Sequence, residues 1–302
     1  MRNIVKKTTL VSSLVLALSA NSMYAQSFEW ISSTEGNTWQ KSKAKLQTNA
    51  AQTPILDVNG SEEGTVFKAW GTCFNELGWD ALNMLPRKEQ ETILHKLFSP
   101  EGELRFTMGR FSMNANDYAR DWYSCDEVPG DFQLKYFNIN RDKTTLIPFI
   151  KAAQQYNPNM TFWMSPWSPP SWMKINHYYS VRSDRNQNQM SPLSDVALFE
   201  GSKEKNTKVF PQQLAVNDYF IQDPRYLQTY ANYFCKFIDA YKQQGIAISM
   251  VMFQNESWSY TNYPGCAWTA EGIIRFNTEY LAPTLKKQHP EIKLYLGTIR
   301  SE

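Results

Sequence analysis

The sequence predicts an α/β fold, a (β/α)8 TIM barrel of which the chain carries about five βα units. Three observations carry that expectation. From Thr65 onward, extended apolar segments alternate with amphipathic helices, the order that builds a parallel sheet. One of those segments, Ile246–Phe253, is apolar without alternation, as a strand covered on both faces must be. The turn after the first strand reads Gly71-Thr72-Cys73-Phe74-Asn75-Glu76, which lacks the glycine spacing that a doubly wound nucleotide fold places there.

The elements follow in order. Residues 1–25 read as a secretory signal peptide: Arg2, Lys6 and Lys7 precede an apolar run from Leu10 to Ala20, too short to span a bilayer, and a cut after Ala25 leaves Gln26 as the first mature residue. The mature protein is therefore expected to be secreted or periplasmic, with no transmembrane segment. Residues 26–64 are polar and irregular, with extended pieces at Phe28–Ile31 and Ile55–Val58, and are expected to supply strands of a β-sandwich side domain.

The barrel is expected over 65–302. Its strands are Thr65–Cys73, Leu104–Met113, Met160–Ser165, Ile246–Phe253 and Ile292–Gly297. Between them, a helix opened by Pro86 runs over Arg87–Phe98, and Leu146–Tyr156 repeats apolar residues at helical spacing. Asp223 caps a longer helix, with Pro224 at its first position, Gly245 at its end and a stripe of Leu227, Tyr230, Phe234, Phe237, Ile238 and Tyr241. Thr269 caps a last helix reaching about Lys287. The polar stretch from Trp172 to Gln222 is too long for a simple connector and is expected to be a functional loop with short helices.

Composition narrows the function. A net charge of +2 gives no basic excess of the kind that marks nucleic-acid binders. Cys73, Cys125, Cys235 and Cys266 fit no zinc spacing; they allow three disulfide pairings or can stay as buried thiols, and spacing does not choose. His95, His177 and His289 are scattered, so neither a metal nor a cofactor is expected. Aromatic residues make up 14%, with 10 Trp, and the flat face of an indole stacks well on the C–H face of a sugar ring.

In a barrel the C-terminal strand ends build the site. Here those ends carry Glu76; Arg110 with Asn116 and Asp117; Ser165-Pro166-Trp167-Ser168-Pro169-Pro170-Ser171-Trp172; Gln254-Asn255-Glu256; and the neighbourhood of Arg300, Ser301 and Glu302. A carboxylate at the end of a buried strand is costly to place without purpose. Glu256 suits a general acid, and a second carboxylate about 5 Å away would complete a retaining glycosidase. A carbohydrate-binding barrel without catalysis is the alternative reading of the same cleft.

At these residues the chain resembles glycoside hydrolase family 30, the group of acid β-glucosylceramidase and microbial β-1,6-glucanases. Arg110-Phe111-Ser112-Met113, Asn116-Asp117, Asp131-Phe132-Gln133-Leu134, the Ser165–Trp172 run, Gln254-Asn255-Glu256 and Tyr263-Pro264-Gly265-Cys266-Ala267-Trp268-Thr269 stand in the family's order, over roughly residues 65–300. The resemblance implies a retaining β-glycosidase with Glu256 as general acid/base and Asn255 beside it. It implies that Asp117 and Trp167 bind sugar hydroxyls, that Arg110 supports the catalytic carboxylates, and that Tyr263 and Trp268 line the cleft. It puts the nucleophile, a Glu at the end of the seventh strand, beyond residue 302, so the chain is expected to be the front part of a longer enzyme. Two departures stand out: Ser257 replaces the usual Pro after the acid/base, and the first strand ends Cys73-Phe74-Asn75-Glu76 instead of in paired small residues. The second leaves the sugar preference open, with Glu76 a candidate hydroxyl ligand.

Overall fold

The computed structural model describes residues 27–45, 66–195 and 217–298. The expected leader, the piece Ile55–Val58, the centre of the polar 172–222 stretch, and Arg300, Ser301 and Glu302 lie outside the described residues. The chain divides into two compact units, Met1–Val66 and Phe67–Glu302.

In the first unit, β1 (Ser27–Thr34) and β2 (Asn37–Lys45) form an antiparallel hairpin, in register from Ser27↔Lys45 to Ser32↔Gln40. Its tip turns at Gly36, whose φ of +80° is left-handed and costs glycine little. The expected strand at Phe28–Ile31 is part of β1.

The second unit holds five parallel strands: β3 (Gly71–Phe74), β4 (Met108–Met113), β5 (Thr161–Pro166), β6 (Ile248–Met252) and β7 (Lys293–Tyr295). Each pairs with the next in sequence, in the order β3-β4-β5-β6-β7. A doubly wound sheet reverses that order at its centre; a barrel wall does not. All five strands were expected, and most are shorter than their apolar runs.

Register explains which side chains reach the site. Phe74, Phe111, Met164, Val251 and Leu294 form one row across the sheet. That row meets the helices: Phe74 stacks on Phe98 and meets Phe149 edge-on, while Phe111 stacks on Tyr241 at 4.8 Å. Side chains alternate along a strand, so the row one residue back, Cys73, Arg110, Trp163 and Met250, faces the other way. Gly109 lies between the rings of Phe74 and Phe162, where a Cβ would come within 2.5 Å of ring carbon, so only glycine lets them pack.

The helices are α1 (Glu76–Asn83), α2 (Arg87–Phe98), α3 (Leu146–Tyr156), α4 (Pro224–Gln243), α5 (Ala270–Arg275) and α6 (Ala282–Gln288). Helix α4 matches its expected stripe, every member of which is buried, and the Asp223 side chain accepts from the Arg225 N–H at 2.8 Å. Helix α1 was not expected. Asn75 and Glu76 read as a loop at a strand end, yet Asn75 Oδ1 accepts from the Gly78 N–H at 2.7 Å and starts a helix there. The single helix expected from Thr269 is instead interrupted by a π turn at Phe276–Leu281. Pro283 brings no N–H to the preceding turn, and the wider turn absorbs that loss. In the polar stretch, one-turn 3-10 helices form at Ser171–Met173 and Pro192–Ser194.

All four cysteines are free, and burial pushes Cys235 and Cys266 up to about 12. Among the described residues no helix is long and apolar enough to cross a membrane, and no group of His, Cys, Asp and Glu could hold a metal ion.

Candidate active site

Arg110 anchors the site. It projects from β4, and its guanidinium donates to Ser165 Oγ (2.9 Å) and Asn255 Oδ1 (2.6 Å). It also lies over the rings of Trp163 (4.8 Å) and Trp167 (4.3 Å). Burial pulls its pKa down, and the acidic groups Cys73, Asp117 and Glu256 oppose that pull. Arginine stays charged under such conditions, so a fixed cation stands beneath the cleft.

Asn255 follows β6. Its Oδ1 accepts from Arg110 and from Thr298 Oγ1 (2.8 Å), and its N–H donates to the Pro166 carbonyl (2.8 Å). Four neighbouring strand ends are thereby stitched together through Arg110, Ser165, Asn255 and Thr298. Among the described residues the Asn255 Nδ2 donors are not spent on this belt.

Glu256 comes next and is half-buried. Its φ is +46°, left-handed for a residue with a Cβ, a conformation that costs about 1 kcal/mol or more and concentrates at functional sites. Two bonds hold it there: its N–H donates to the Thr298 carbonyl (2.9 Å) and, more weakly, to Thr298 Oγ1 (3.3 Å). The turn aims the side chain at Tyr263, whose hydroxyl donates to Glu256 Oε2 at 3.3 Å. Among the described residues no cation forms an ion pair with Glu256. Asp117 is exposed in the loop after β4. Its carboxyl is pushed up, first by partial removal from water and then by the negative charge of Glu256, with Arg110 opposing. Arg110, Asp117, Glu256, Asn255, Trp167 and Tyr263 thus lie near one another.

Two expected site residues belong elsewhere. Glu76 is 2% exposed and both its oxygens are engaged: Oε1 and Oε2 each accept from the Arg141 guanidinium at 2.9 Å, and Oε2 also takes the Arg120 N–H at 2.8 Å. Burial pushes its pKa up, but Arg141 and the Arg120 N–H outweigh that and hold it below the usual carboxylate range. It is a structural ion pair because α1 turns its carboxylate away into Arg141. Trp268 is 1% exposed, stacked on Phe220 (5.0 Å) and Phe276 (5.4 Å), so it is core and not cleft lining. Its indole N–H reaches Gln254 Oε1 at 3.4 Å, and Gln254 Nε2 holds the Trp167 carbonyl at 2.7 Å. Trp268 therefore supports the site from behind.

Sequence reasoning missed Thr298, Ser165 as a ligand of Arg110, and Lys174. Ser165 was legible, since it stands two residues after Trp163 on the same face. Thr298 falls just past the expected end of the fifth strand, where no motif marks it.

Residues 67–188 match the glycosyl hydrolase family 30 TIM-barrel domain. The putative glucosylceramidase 3 of Caenorhabditis elegans is 28% identical over 258 residues, 82% of this chain and 42% of that protein. The endo-1,6-beta-D-glucanase neg1 of Aspergillus fumigatus is 26% identical over 217 residues, 70% of this chain and 39% of that protein. The crystal structure of SrfJ from Salmonella typhimurium superposes with a TM-score of 0.66 at 20% identity, covering 90% of this chain and 53% of that one. The chain spans less than half the length of these two curated relatives. By its matched domain, its fold and these relatives, the chain is similar to members of glycosyl hydrolase family 30.

Proposed function

We propose that this chain is the front part of the catalytic barrel of a retaining β-glycosidase acting on β-linked glycans or β-glycosides, with Glu256 as its general acid/base. One observation carries the reading. Glu256 is a carboxylate at a parallel-strand end, held in a strained left-handed turn, touched by a phenol and paired to no cation among the described residues. A structural carboxylate would have its lone pairs spent, as those of Glu76 are.

Glu256 gives its proton to the departing glycosidic oxygen while a second carboxylate attacks the anomeric carbon and forms a glycosyl-enzyme. Glu256, now ionised, takes a proton from water as that intermediate is hydrolysed. The Tyr263 hydroxyl on Oε2 leaves Oε1 to face the substrate. Asn255, with its oxygen fixed by Arg110 and Thr298, offers its Nδ2 donors to a sugar hydroxyl, and Asp117 and the Trp167 indole hold the ring being cleaved. The nucleophile is the strand-seven Glu that the family resemblance puts after residue 302. This chemistry needs neither cofactor nor metal. Export by the leader read at residues 1–25, and a side domain begun by 26–64, complete the proposal.

The test is leaving-group dependence. Glu256→Ala is expected to lose turnover on glycosides with poor leaving groups and to keep far more on activated aryl glycosides, which need less protonation. Equal loss on both classes contradicts the acid/base role.

A further inference from the structure

Lys174 lies in the loop after β5 and is fully buried at 0% exposure. Its Nζ donates to the carbonyl oxygens of Gly265 (2.7 Å), Tyr179 (2.8 Å) and Ser180 (3.1 Å), and reaches Ser168 Oγ at 3.4 Å. Among the described residues no carboxylate forms an ion pair with it; Glu127 and the Cys266 thiol are the acidic groups whose fields reach it. An ammonium group without a counter-ion is among the costliest things to bury, and Met would fill the same space without that cost. Its ligands give a reason for it.

Those ligands come from two different loops. Ser168, Tyr179 and Ser180 follow β5, and Ser168 adjoins Trp167. Gly265 belongs to the loop after β6, two residues past Tyr263. The loops touch nearby as well: the Gly265 N–H donates to the Tyr179 carbonyl at 3.0 Å, and Ser180 bridges Pro264. The Tyr179 carbonyl thus receives both Gly265 and Lys174. Burial pulls the lysine down only to about 8, so at neutral pH it keeps its proton and all three donors. Gly265 is also fixed in identity, because a Cβ there would come within 2.3 Å of Thr261 Oγ1.

We propose that Lys174 is a positioning residue for catalysis: its buried ammonium pins the loop after β5 to the loop after β6, and so sets Tyr263 against Glu256. The proposal rests on the reading of Glu256 as the acid/base. It acts through a hydrogen bond and not through contact with substrate.

The test is a double-mutant cycle in the full-length protein, with Lys174→Met and Tyr263→Phe, read on a glycoside with a poor leaving group. Lys174→Met is expected to lower kcat by about tenfold or more while KM changes little, and Tyr263→Phe to add almost nothing on top of it, because the contact it removes is already lost. Additive losses overturn the proposal, as they assign Lys174 to general stability. Should Lys174→Met not fold, Lys174→Gln, which keeps two donors without the charge, takes its place in the cycle. Amide hydrogen exchange gives a readout that needs no substrate. Residues 261–268 should exchange faster in the variant while the amides of α4 stay protected; unchanged exchange in that loop, or equal acceleration in α4, overturns the clamp. A wild-type protein that cleaves no β-glycoside would instead defeat the glycosidase reading, and the exchange comparison would still decide whether Lys174 joins the loops.

Discussion

Two glutamates stand directly after parallel strands at the same end of the sheet, and they differ in everything but that position. Glu76, after β3, is buried and closed in: Arg141 takes both oxygens, and the neighbouring Asp142 accepts from Tyr123 (2.6 Å) and Tyr241 (2.7 Å) in the same buried network. Glu256, after β6, is half-buried, strained at φ +46°, and among the described residues its carboxylate is touched by a phenol at 3.3 Å and by no cation. A place at a barrel mouth therefore does not make a carboxylate catalytic. What matters is whether its lone pairs are already spent. Around Glu76 the electrostatics are satisfied within the protein; around Glu256 they are left for something else.

The sharpest way to break that contrast is to remove each group in turn. Glu256→Ala should cut turnover on poor leaving groups by about 10²–10⁴ and leave the melting temperature nearly unchanged. Glu76→Gln should do the reverse. Stripping one partner from a buried pair costs about 3–5 kcal/mol, and here the loss should fall near the lower end, because Arg141 keeps 29% exposure. Chemical denaturation measures it, and kcat per folded molecule should hold. A Glu76 variant that stays stable and loses kcat would erase the distinction.

The two tryptophans sharpen the same comparison. Trp268→Ala should cost about 3–5 kcal/mol through the void left between Phe220 and Phe276. Trp167→Ala, at a ring 5% exposed beneath Arg110, should lower stability too and in addition raise KM for a β-glycoside. Steady-state kinetics beside denaturation curves separate the two.

The smallest effect concerns pH. Burial raises Asp142 to about 6 from an ordinary 3.8, so the folded state holds more protons than the unfolded chain between those values. Stability from this group therefore grows as pH falls through 6 and levels off below about 4, by roughly 3 kcal/mol in all. The wild type should melt higher at pH 5 than at pH 7, and Asp142→Asn should flatten that slope; an unchanged slope places the titration elsewhere.

These contrasts also mark where the sequence could be read. The barrel order was legible because each strand is an apolar run followed by a helix with a visible stripe, α4 above all. The cluster at β4, β5 and β6 was legible because polar residues follow those runs directly. Glu76 and Trp268 were misplaced for one shared reason: a polar or aromatic residue beside the barrel mouth can turn to either side, and a deciding partner of each, Arg141 for Glu76 and Phe220 for Trp268, lies far away in sequence. Helix α1 was missed because its signal is a single Asn cap. Lys174 was missed because nothing local announces a lysine whose ligands are carbonyl oxygens from two loops.

The central claim, that the unspent carboxylate of Glu256 is the group that donates and recovers the proton, is tested most directly by azide rescue of Glu256→Ala in the full-length protein. Azide needs no general base and fits the space the side chain leaves, so it should restore turnover of an activated aryl β-glycoside and yield the β-configured glycosyl azide. No rescue, or an α-configured azide, contradicts the account.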